Sequence, residues 1–593
     1  MNNKKKVFLG INVSHGASAA LMINGEIVRA FQEERFNKIK NYGGYPKISI
    51  DKCINFAIDK NLLIDEAAFT TVNNNIFNFK YPIDNCFNVN DWLQYYFNYY
   101  SKEARIKKII DFFKSNKNKN TLNNFNFSNI KDKDYFNNYK LFRKYQEDNL
   151  KSQSKGIIKK ISFLNHHMCH AYYAAFSPKI SEEKCAIVTL DSEGDGINQT
   201  LWILKNQKLK KINQSAECEL ARIYRFITLI LKMRPNEHEY KVMGLAPYAK
   251  DEYSKKVYEK VFKNILTIRN CKVVHKKRPK NLFSYLYNST LNYRFDNIAG
   301  AVQNFVEETS AKLLKQIHQK YKVNSFSISG GVSMNIKMNR NLSNLKFVKK
   351  LYVSPTGTDD SLCIGACYYL NKNFQQKFLK NIYLGQKIYE KNISKNYIKK
   401  KLKNINVNIK ENVNHKHIAK LLKKGEIIAV ARGKEEFGAR ALGNRSILAN
   451  PKISGVIQKI NEQIKNRDFW MPFALTILEK YHKKYLYNKK NISSDFMTVG
   501  FDTVPKYYND IKNGTHPYDK TVRPQILKKS MNIEYFSIIN NFYKLTKIPA
   551  LLNTSLNLHG NPIASKLDDI IATFKNSDLK FLYIEDNYLI EKK

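Results

Sequence analysis

The sequence predicts an α/β protein with two domains, on three observations. Strand-like segments ending in Gly turns alternate with helical segments, as where Phe326–Ser329 runs into Gly330-Gly331. The chain has 593 residues, which is too long for one ordinary core. Hydrophobic residues make up 43% and aromatic residues 13%, which excludes a disordered protein.

The chain begins with a strand, a turn and a hairpin. Val7–Val13 is strand-like, Ser14–Ser18 is a polar turn of small residues around His15, and Asn24-Gly25 joins two further strand-like segments. Asn-Gly favours the type I′ turn of a two-residue hairpin. This order resembles the ribonuclease-H-like nucleotide-binding fold and predicts it for the N-terminal domain.

Residues from about 73 to 160 predict an inserted helical region. They are rich in aromatic residues and Asn and contain basic helical stretches such as Ala104–Lys114. No pattern there indicates chemistry, although the insertion is a candidate to shape an acceptor pocket.

A polar, Lys/Asn-rich stretch at 371–414 places the domain boundary near residue 388. The predicted domains are therefore 1–388 and 389–593. Ile427–Val430 and Pro549–Leu552 are strand-like and indicate a smaller α/β domain at the C-terminal end. No internal sequence repeat is visible.

The charge is strongly basic, with 100 Lys plus Arg against 51 Asp plus Glu and a net charge of +49. Such an excess attracts nucleic acid, anionic membranes or phosphorylated ligands. The Lys residues accompany many Asn, Ile and Tyr, however, which indicates the coding bias of an AT-rich genome. An RNA-directed role is therefore the alternative, and steep weakening of binding with rising salt would reveal it.

Cysteine usage predicts a reducing compartment. The eight cysteines are scattered and form no C-x-x-C pair. Val7–Val13 is too short for a signal peptide and contains Asn12, and no apolar run has the length of a membrane span. We expect a cytoplasmic protein that does not bind membranes.

His166-His-Met-Cys-His170 is the first motif with chemical meaning. On a helix, His166 and His170 lie one turn apart on one face, where two imidazoles can chelate one metal ion. Asp191 and Asp359 each follow a predicted strand, a usual place for further ligands. Such a set suits iron, zinc or manganese. Turn or helix caps are the alternative for both acids.

Two glycine turns are candidates for nucleotide contacts. Gly330-Gly331, with Asn335 four residues on, allows backbone N–H groups to approach a phosphate or ribose. The turn Gly194-Asp195-Gly196 is a phosphate contact or a plain hairpin.

The segment Arg432–Ser446 is more specific, because arginines alternate with glycines. Arginine forks bind phosphate oxygens bidentately, and glycines let the backbone approach. The candidate ligands of a polyanion in the C-terminal domain are Arg432, Arg440, Arg445, Ser446, Arg467, Arg523, Asn553, Thr554 and Ser555.

Six ordered segments together resemble the carbamoyltransferases of the nodulation protein U and cephamycin or tobramycin type. The resemblance covers nearly the whole chain except the insertion. The matching segments are His15–Ser18 with Glu33–Lys40, His166–His170, Lys241–Tyr248, Gly330–Asn335, Glu436–Ser446 and Asn553–Asn557.

The resemblance implies two coupled sites. The C-terminal domain would have a YrdC-like fold and form carbamoyl-adenylate from ATP and carbamoyl phosphate, with Mg²⁺. The N-terminal domain, of ASKHA type, would be similar to the universal tRNA threonylcarbamoyl transferase. It would move the carbamoyl group to a hydroxyl of a sugar-like or natural-product-like small molecule.

The resemblance also implies roles for single residues. Iron (Fe²⁺), or another divalent metal, would be held by His166, His170, Asp191 and Asp359. His15 would be the catalytic base, and Lys40 and Lys241 would contact phosphate. Three positions depart from the family pattern: Ala439 and Leu475 replace Pro, and Met471 replaces Arg. The acceptor and the oligomeric state, with a homodimer as one option, stay open.

Overall fold

The computed structural model describes residues 5–73, 86–97, 139–180, 184–389 and 393–593. The chain divides into two units, Met1–Leu379 and Lys380–Lys593. Both units combine helices with parallel and antiparallel strand pairs, which confirms the α/β class.

The N-terminal unit contains two five-stranded sheets and a two-stranded one. Its strands are β1 (Val7–Asn12), β2 (Ser18–Ile23), β3 (Glu26–Gln32), β4 (Glu66–Phe69), β5 (Ile161–Phe163), β6 (Lys184–Gly194), β7 (Ile197–Lys205), β8 (Lys208–Ser215), β9 (Leu266–Arg269), β10 (Lys272–His275), β11 (Ser325–Ser329) and β12 (Lys350–Val353).

The two five-stranded sheets share one topology. The first has the order β3-β2-β1-β4-β5 and the second, read from its other edge, has the order β8-β7-β6-β11-β12. In each, the first three strands along the chain form an antiparallel meander and the last two add in parallel. The architecture therefore repeats although the sequence shows no repeat.

The predicted hairpin is present between β2 and β3. Asn24 and Gly25 both have positive φ, 48° and 77°. These values suit the type I′ turn that Asn-Gly predicted. The turn between β1 and β2 carries His15 at one end of the first sheet.

Helices cover the sheets of the N-terminal unit. They are Glu34–Asn37, Lys47–Asp59, Val89–Tyr96, Tyr139–Gln153, His166–Phe176, Leu220–Ile230, Glu239–Leu245, Asp251–Val257, Leu282–Thr290, Phe295–Tyr321, Ile336–Asn344 and Leu362–Leu370. Short 3₁₀ turns lie at Ala246–Tyr248, Gly331–Met334 and Asp359–Ser361, and a π turn lies at Tyr258–Phe262.

The helices His166–Phe176 and Leu362–Leu370 pack directly on each other. A Cβ at Gly365 would lie only 2.0 Å from the carbonyl oxygen of Cys169. Only glycine allows this close approach. The contact brings the segment that carries Asp359 against the helix that carries His166 and His170.

The C-terminal unit is built on one eight-stranded sheet of order β13-β22-β21-β14-β15-β20-β16-β19. The strands of this unit are β13 (Val407–Lys410), β14 (Ile428–Ala431), β15 (Arg445–Ala449), β16 (Ala474–Leu478), β17 (Phe501–Asp502), β18 (Thr521–Val522), β19 (Pro524–Leu527), β20 (Ala550–Ser555), β21 (Phe581–Ile584) and β22 (Tyr588–Lys592).

Apolar side chains from the sheet and its helices form one core in this unit. The helices are Lys395–Lys401, Val456–Ile460, His415–Lys424, His482–Tyr485, Tyr508–Ile511, Ile533–Thr546 and Leu567–Lys575. Further turns lie at Asn461–Lys465, Glu479–Tyr481, Pro505–Tyr507 and Lys512–Gly514.

Two helices of the predicted insertion, Val89–Tyr96 and Tyr139–Gln153, belong to the described residues. The basic stretch Ala104–Lys114 lies outside them. All eight cysteines are buried and free, as their scattered spacing predicted. Within the described ranges, no helix combines the length and apolar character needed to cross a bilayer.

Candidate active site

The helix His166–Phe176 presents the two predicted imidazoles together. Asn165 caps it, because its side chain accepts a hydrogen bond from the backbone N–H of Met168. The rings of His166 and His170 lie one turn apart with centroids separated by 4.8 Å. Both side chains are buried. The spacing seen in the sequence therefore produces one two-imidazole face.

Asp191 and Asp359 join this face. Asp191 Oδ2 lies 3.1 Å from His166 Nε2 and 3.5 Å from His170 Nε2. Asp359 Oδ1 lies 3.6 Å and 3.7 Å from the same two nitrogens. One ligand atom from each of the four residues lies within 4.8 Å of the others. The structure thus brings together the whole predicted set.

Neighbouring groups hold the two carboxylates in place. The backbone N–H of Gly331 donates to Asp191 Oδ1 at 3.0 Å. The hydroxyl of Ser14 donates to Asp359 Oδ2 at 2.9 Å. Each acid is therefore oriented through one oxygen and offers the other to the imidazoles. Such supporting contacts are typical around metal ligands.

The electrostatics of the cluster favour positive charge. Burial would raise the pKa of Asp191, but hydrogen bonds from His166 and His170 and their charges lower it well below its ordinary value. Burial would lower the pKa of His170, but the carboxylates of Asp191 and Asp359 raise it to about 9. A cation placed between these groups would be stabilised for the same reason.

The four residues fit a divalent metal ion by their chemistry. The buried Nε2 of His170 faces both carboxylates, at 3.5 Å from Asp191 and 3.7 Å from Asp359. Two imidazole nitrogens and two carboxylate oxygens suit iron, zinc or manganese. The cluster is therefore a candidate metal centre.

His167 anchors the same helix without joining the cluster. Its Nδ1 lies 2.7 Å from the hydroxyl of Thr189, and its Nε2 lies 2.9 Å from the carbonyl oxygen of Ile197. Burial lowers the pKa of His167 to about 3, so the ring is neutral. A neutral imidazole can bridge β6 and β7 to the helix through one donor and one acceptor.

Asp195 is engaged in hydrogen bonds within the unit, and its predicted nucleotide contact stays a prediction. Its carboxylate accepts hydrogen bonds from the hydroxyl of Thr71 and the backbone N–H of Val72, Asn73 and His166. The side-chain amide of Asn165 also donates to it, at 3.3 Å. Asp195 therefore ties the segment after β4 to the start of the histidine helix.

The glycine turns divide between structural and candidate contacts. Asp195 and Gly196 form the hairpin turn between β6 and β7, with φ of 53° and 77°. A Cβ at Gly194 would lie 2.2 Å from the ring of His166, so this glycine makes room for the imidazole. Gly194–Gly196 forms the turn of a hairpin, and its predicted nucleotide contact stays a prediction.

Gly330, Gly331 and Asn335 lie between β11 and the helix Ile336–Asn344. Gly330 packs on the backbone of Leu190, and Gly331 faces Asp191. The side chain of Asn335 caps the helix at the backbone N–H of Met338. This turn supports the metal candidate, and its predicted nucleotide contact stays a prediction.

A second group of ionisable residues surrounds His15, Lys40 and Lys241. Lys40 Nζ pairs with Glu237 at 2.8 Å. Burial, followed by the charge of Lys241, lowers the pKa of His238 to about 4. Burial raises the pKa of Glu239 to about 7, and nearby Arg225 and His15 oppose that rise. His15, Lys40 and Lys241 thus each lie within electrostatic reach of the segment Glu237–Glu239, and their predicted roles stay predictions.

In the C-terminal unit, Arg440, Arg467 and Arg523 lie close together. Burial and the charges of Arg440 and Arg467 lower the pKa of Arg523 well below its ordinary value. Arg467 donates to the hydroxyl of Thr554 at 3.1 Å and lies over the ring of Phe473. Like charges that lie close together favour the binding of an anion. These three arginines and Thr554 form a candidate anion site.

Arg445 is engaged within the unit, and its predicted contact with a polyanion stays a prediction. It is fully buried, and its guanidinium donates to the backbone carbonyls of Ser565, Arg432, Asn444, Gln386 and Gly433. All five of its N–H groups are used in this way. The hydroxyl of Ser446 likewise accepts from the backbone N–H of Gly443. Both residues stabilise the loop.

Arg432 is buried, and the two terminal nitrogens of its guanidinium have no hydrogen-bond acceptor. Its Nε lies 3.2 Å from Asp586, which also contacts His415 at 3.1 Å. Its Nη1 and Nη2 make no hydrogen bond. His415, Glu534 and Asp586 form a second set that could hold a metal by distance. The adjoining guanidinium opposes a cation there, so we interpret Asp586 as the group that orients Arg432.

The segment Asn553–Ser555 on β20 is already engaged within the unit. The side-chain amide of Asn553 donates to the carbonyl oxygen of Ala441 and to Thr476. Ser555 accepts from Lys465 and donates to Asn557. Of the three, Thr554 lies beside an arginine of the anion site. Ligand contacts by Asn553 and Ser555 stay predictions.

The positions that depart from the family pattern differ in environment. Ala439 is exposed and Leu475 is fully buried in β16. The backbone N–H of Met471 donates to Asp468. Arg440, Arg467 and Arg523 gather without an arginine at position 471.

Sequence reasoning missed several acidic partners. Glu237 and Glu239 precede Lys241 in the chain, and their proximity to a predicted lysine was a usable signal. Glu436 lies inside the Arg/Gly segment, where a buried acid is unusual. Nothing in the sequence indicated that Asp586 contacts Arg432, because the two residues are far apart along the chain.

Comparison with known proteins identifies the family. Residues 7–368 match the Carbamoyltransferase N-terminus and residues 419–592 match the Carbamoyltransferase C-terminus. An uncharacterized protein of Methanocaldococcus jannaschii is 30% identical, covering 99% of this chain and 100% of that protein. Nodulation protein NolNO of Sinorhizobium fredii is 24% identical, covering 98% and 79%. Nodulation protein U of Rhizobium tropici is 25% identical, covering 45% and 44%. The chain therefore belongs to the carbamoyltransferase family and is a carbamoyltransferase.

Proposed function

We propose that this carbamoyltransferase activates the carbamoyl group in its C-terminal unit and transfers it in its N-terminal unit. Carbamoyl phosphate, ATP and water would give carbamoyl-adenylate, phosphate and pyrophosphate. The carbamoyl group would then pass to a hydroxyl and release AMP. The observation that carries the proposal is the gathering of Arg440, Arg467 and Arg523 in a unit separate from the His₂Asp₂ cluster.

Activation answers a chemical need. Nitrogen donates electrons into the carbonyl of a carbamoyl group and makes it a weak electrophile, so a better leaving group such as AMP is required. Both substrates of this step are polyanions. Arginine forks bind phosphate oxygens bidentately, and guanidinium groups offset the charge that develops on the departing oxygens. Arg440, Arg467, Arg523 and Thr554 would do this, with Mg²⁺ on the ATP.

In the N-terminal unit, His166, His170, Asp191 and Asp359 would hold a divalent metal ion, for which iron is our proposal. When bound, such an ion supplies a Lewis acid for a carbonyl or phosphoryl oxygen. The chain itself fixes the two acids through Gly331 and Ser14. Gly330 and Asn335 would shape the wall of the nucleotide site beside them.

His15 would take the proton of the acceptor hydroxyl. It lies in the turn that contains Ser14, whose hydroxyl contacts Asp359, so the base is held next to the metal candidate. Lys40 and Lys241 would bind the phosphate of carbamoyl-adenylate. The carbonyl carbon would then accept the new bond from the acceptor oxygen while the bond to AMP breaks.

The finer fold assignment is part of the same proposal. Two sheets with one repeated strand order support a duplicated ribonuclease-H-like domain of ASKHA type in the N-terminal unit. The C-terminal unit would be YrdC-like. The acceptor would be a small molecule with a hydroxyl group, sugar-like or natural-product-like, and the protein would act in the cytoplasm.

The decisive experiment combines two measurements on the purified full chain. Pyrophosphate release should require both ATP and carbamoyl phosphate. Mass spectrometry of candidate metabolites should show the mass gain of one carbamoyl group. Pyrophosphate release without carbamoyl phosphate, or none with both substrates, would overturn the two-step scheme.

A further inference from the structure

Several buried charged groups in the described part of the C-terminal unit have hydrogen-bonding atoms without a partner, and Glu436 and Arg432 are two of them. Glu436 is 2% exposed; its Oε1 accepts from the backbone N–H of Leu442 and Asn444 at 2.7 and 2.8 Å, while its Oε2 has no hydrogen bond. Arg432 is 3% exposed, and its Nη1 and Nη2 have none either. Buried charges without partners are costly, so each such atom requires an explanation.

The two residues are neighbours in space. The backbone N–H of Asn444 donates to Glu436, and the carbonyl oxygen of the same residue accepts from the backbone N–H of Arg432 at 3.0 Å. Tyr383 and Tyr535 each lie within electrostatic reach of both charges. Among the ion pairs of the described ranges, Arg432 contacts Asp586 and not Glu436. A donor pair and an acceptor thus lie near the same backbone segment and the same two tyrosines, and they form no ion pair with each other.

We propose that Glu436 and Arg432 recognise the carbamoyl end of carbamoyl phosphate. Glu436 Oε2 would accept an N–H of the carbamoyl NH₂ group, and Arg432 would donate to the carbonyl oxygen. A carbamoyl group carries this combination of donor and acceptor on one carbon. The inference rests on the proposed function for the identity of the substrate.

The position of Glu436 also explains how the phosphate end of carbamoyl phosphate would be bound. Glu436 folds the loop that carries Arg440, because its Oε1 holds the N–H groups of Leu442 and Asn444. Arg440 in turn lies beside Arg467 and Arg523. The loop 436–444 therefore carries Glu436, which would bind the carbamoyl NH₂ group, and Arg440, which would bind the phosphate. The hydrogen bonds of Glu436 Oε1 also hold this loop in its conformation.

Glu436 would also make the site specific for carbamoyl phosphate over acetyl phosphate. Acetyl phosphate carries a methyl group where carbamoyl phosphate carries NH₂. With acetyl phosphate bound, Glu436 Oε2 would be buried against a methyl group without a hydrogen bond. Sites built to hydrogen-bond a substrate N–H reject the analogue that lacks it.

The test is Glu436→Gln in the full chain, with dissociation constants measured by calorimetry for carbamoyl phosphate and inorganic phosphate. The Gln carbonyl can still hold Leu442 and Asn444, but its NH₂ places a donor against the ligand's N–H. We expect the Kd of carbamoyl phosphate to rise about 10- to 100-fold and that of phosphate to stay within about twofold. Glu435→Gln is the matched control, since this buried acid contacts Gln386 instead.

An unchanged Kd for carbamoyl phosphate, an equal rise for both ligands, or no binding of carbamoyl phosphate by the unaltered protein would overturn the inference. A rise of the same size in Glu435→Gln would overturn it as well. Failure of the proposed function looks different: carbamoyl phosphate would bind and depend on Glu436, but no pyrophosphate would be released with ATP.

Discussion

The two candidate sites arrange charge in opposite ways. In the N-terminal unit, two imidazoles and two carboxylates lie 3.1–3.7 Å apart and compensate one another, and the carboxylates raise the pKa of His170 to about 9. In the C-terminal unit, Arg440, Arg467 and Arg523 are like charges, and after burial their proximity lowers the pKa of Arg523. The first arrangement suits a cation and the second suits an anion, so variants should affect them separately.

The largest effect is expected for His15→Asn. Loss of the base should slow carbamoyl transfer about 10²- to 10⁴-fold, because proton removal from the acceptor is lost. Pyrophosphate release should continue, because it belongs to the other unit. Mass spectrometry of the carbamoylated product and a pyrophosphate assay measure the two steps. Loss of both steps in a folded variant would show that His15 is not the base.

Arg440→Ala should reduce pyrophosphate release about 10²- to 10³-fold, since an arginine that offsets phosphate charge is removed. The metal content of the N-terminal unit should not change. Arg278→Ala, at an exposed position, is the matched control. Normal pyrophosphate release by Arg440→Ala would remove this arginine from the anion site.

Asp191→Asn should produce the reverse pattern. The amide carries no charge, so we expect metal affinity to fall at least about 10- to 100-fold, as seen when groups around metal ligands are lost. Elemental analysis after dialysis against a weak chelator measures this. Pyrophosphate release should persist, and Asp251→Asn, in the first turn of an exposed helix end, is the control. Full metal content in Asp191→Asn would contradict the cluster as the metal site.

Arg445→Ala should act on stability. Its loss leaves several buried carbonyls unpaired, and we expect a cost of about 3 kcal/mol or more in the free energy of unfolding of the C-terminal unit. Arg445→Lys should not restore stability, because an ammonium lacks the planar fork. Chemical denaturation measures the effect. If Arg445→Ala were stable but bound phosphate more weakly, Arg445 would be a residue that binds the anion and not one that stabilises the loop.

Local patterns predicted much of the fold. Asn24-Gly25 specifies a turn with positive φ at both positions, and the structure contains it. The strand-like runs Phe326–Ser329, which ends in a glycine turn, and Ile427–Val430 correspond to β11 and β14. The repeated sheet order was not predictable, because it depends on pairings between distant strands and not on similar residues.

The candidate metal centre was the best-predicted part of the site. Helical periodicity alone places His166 and His170 on one face, so their spacing of four residues is enough to predict that the two imidazoles lie together. Asp191 and Asp359 were chosen because each was predicted to follow a strand. The packing of two helices through Gly365 brings Asp359 to the imidazoles, whereas Asp191 lies within β6.

The sequence by itself determined the residue types that carry charge, their helical or strand periodicity, and the family to which they belong. Tertiary structure decided which of several equivalent residues is available to a ligand. Asp191 and Asp195 are close in sequence, yet one joins the imidazoles and the other is saturated by five donors. Arg445 is saturated in the same way by five backbone carbonyls. The physical reason is that a charged side chain is saturated or left open by backbone groups from distant segments, and those contacts form only when the chain folds.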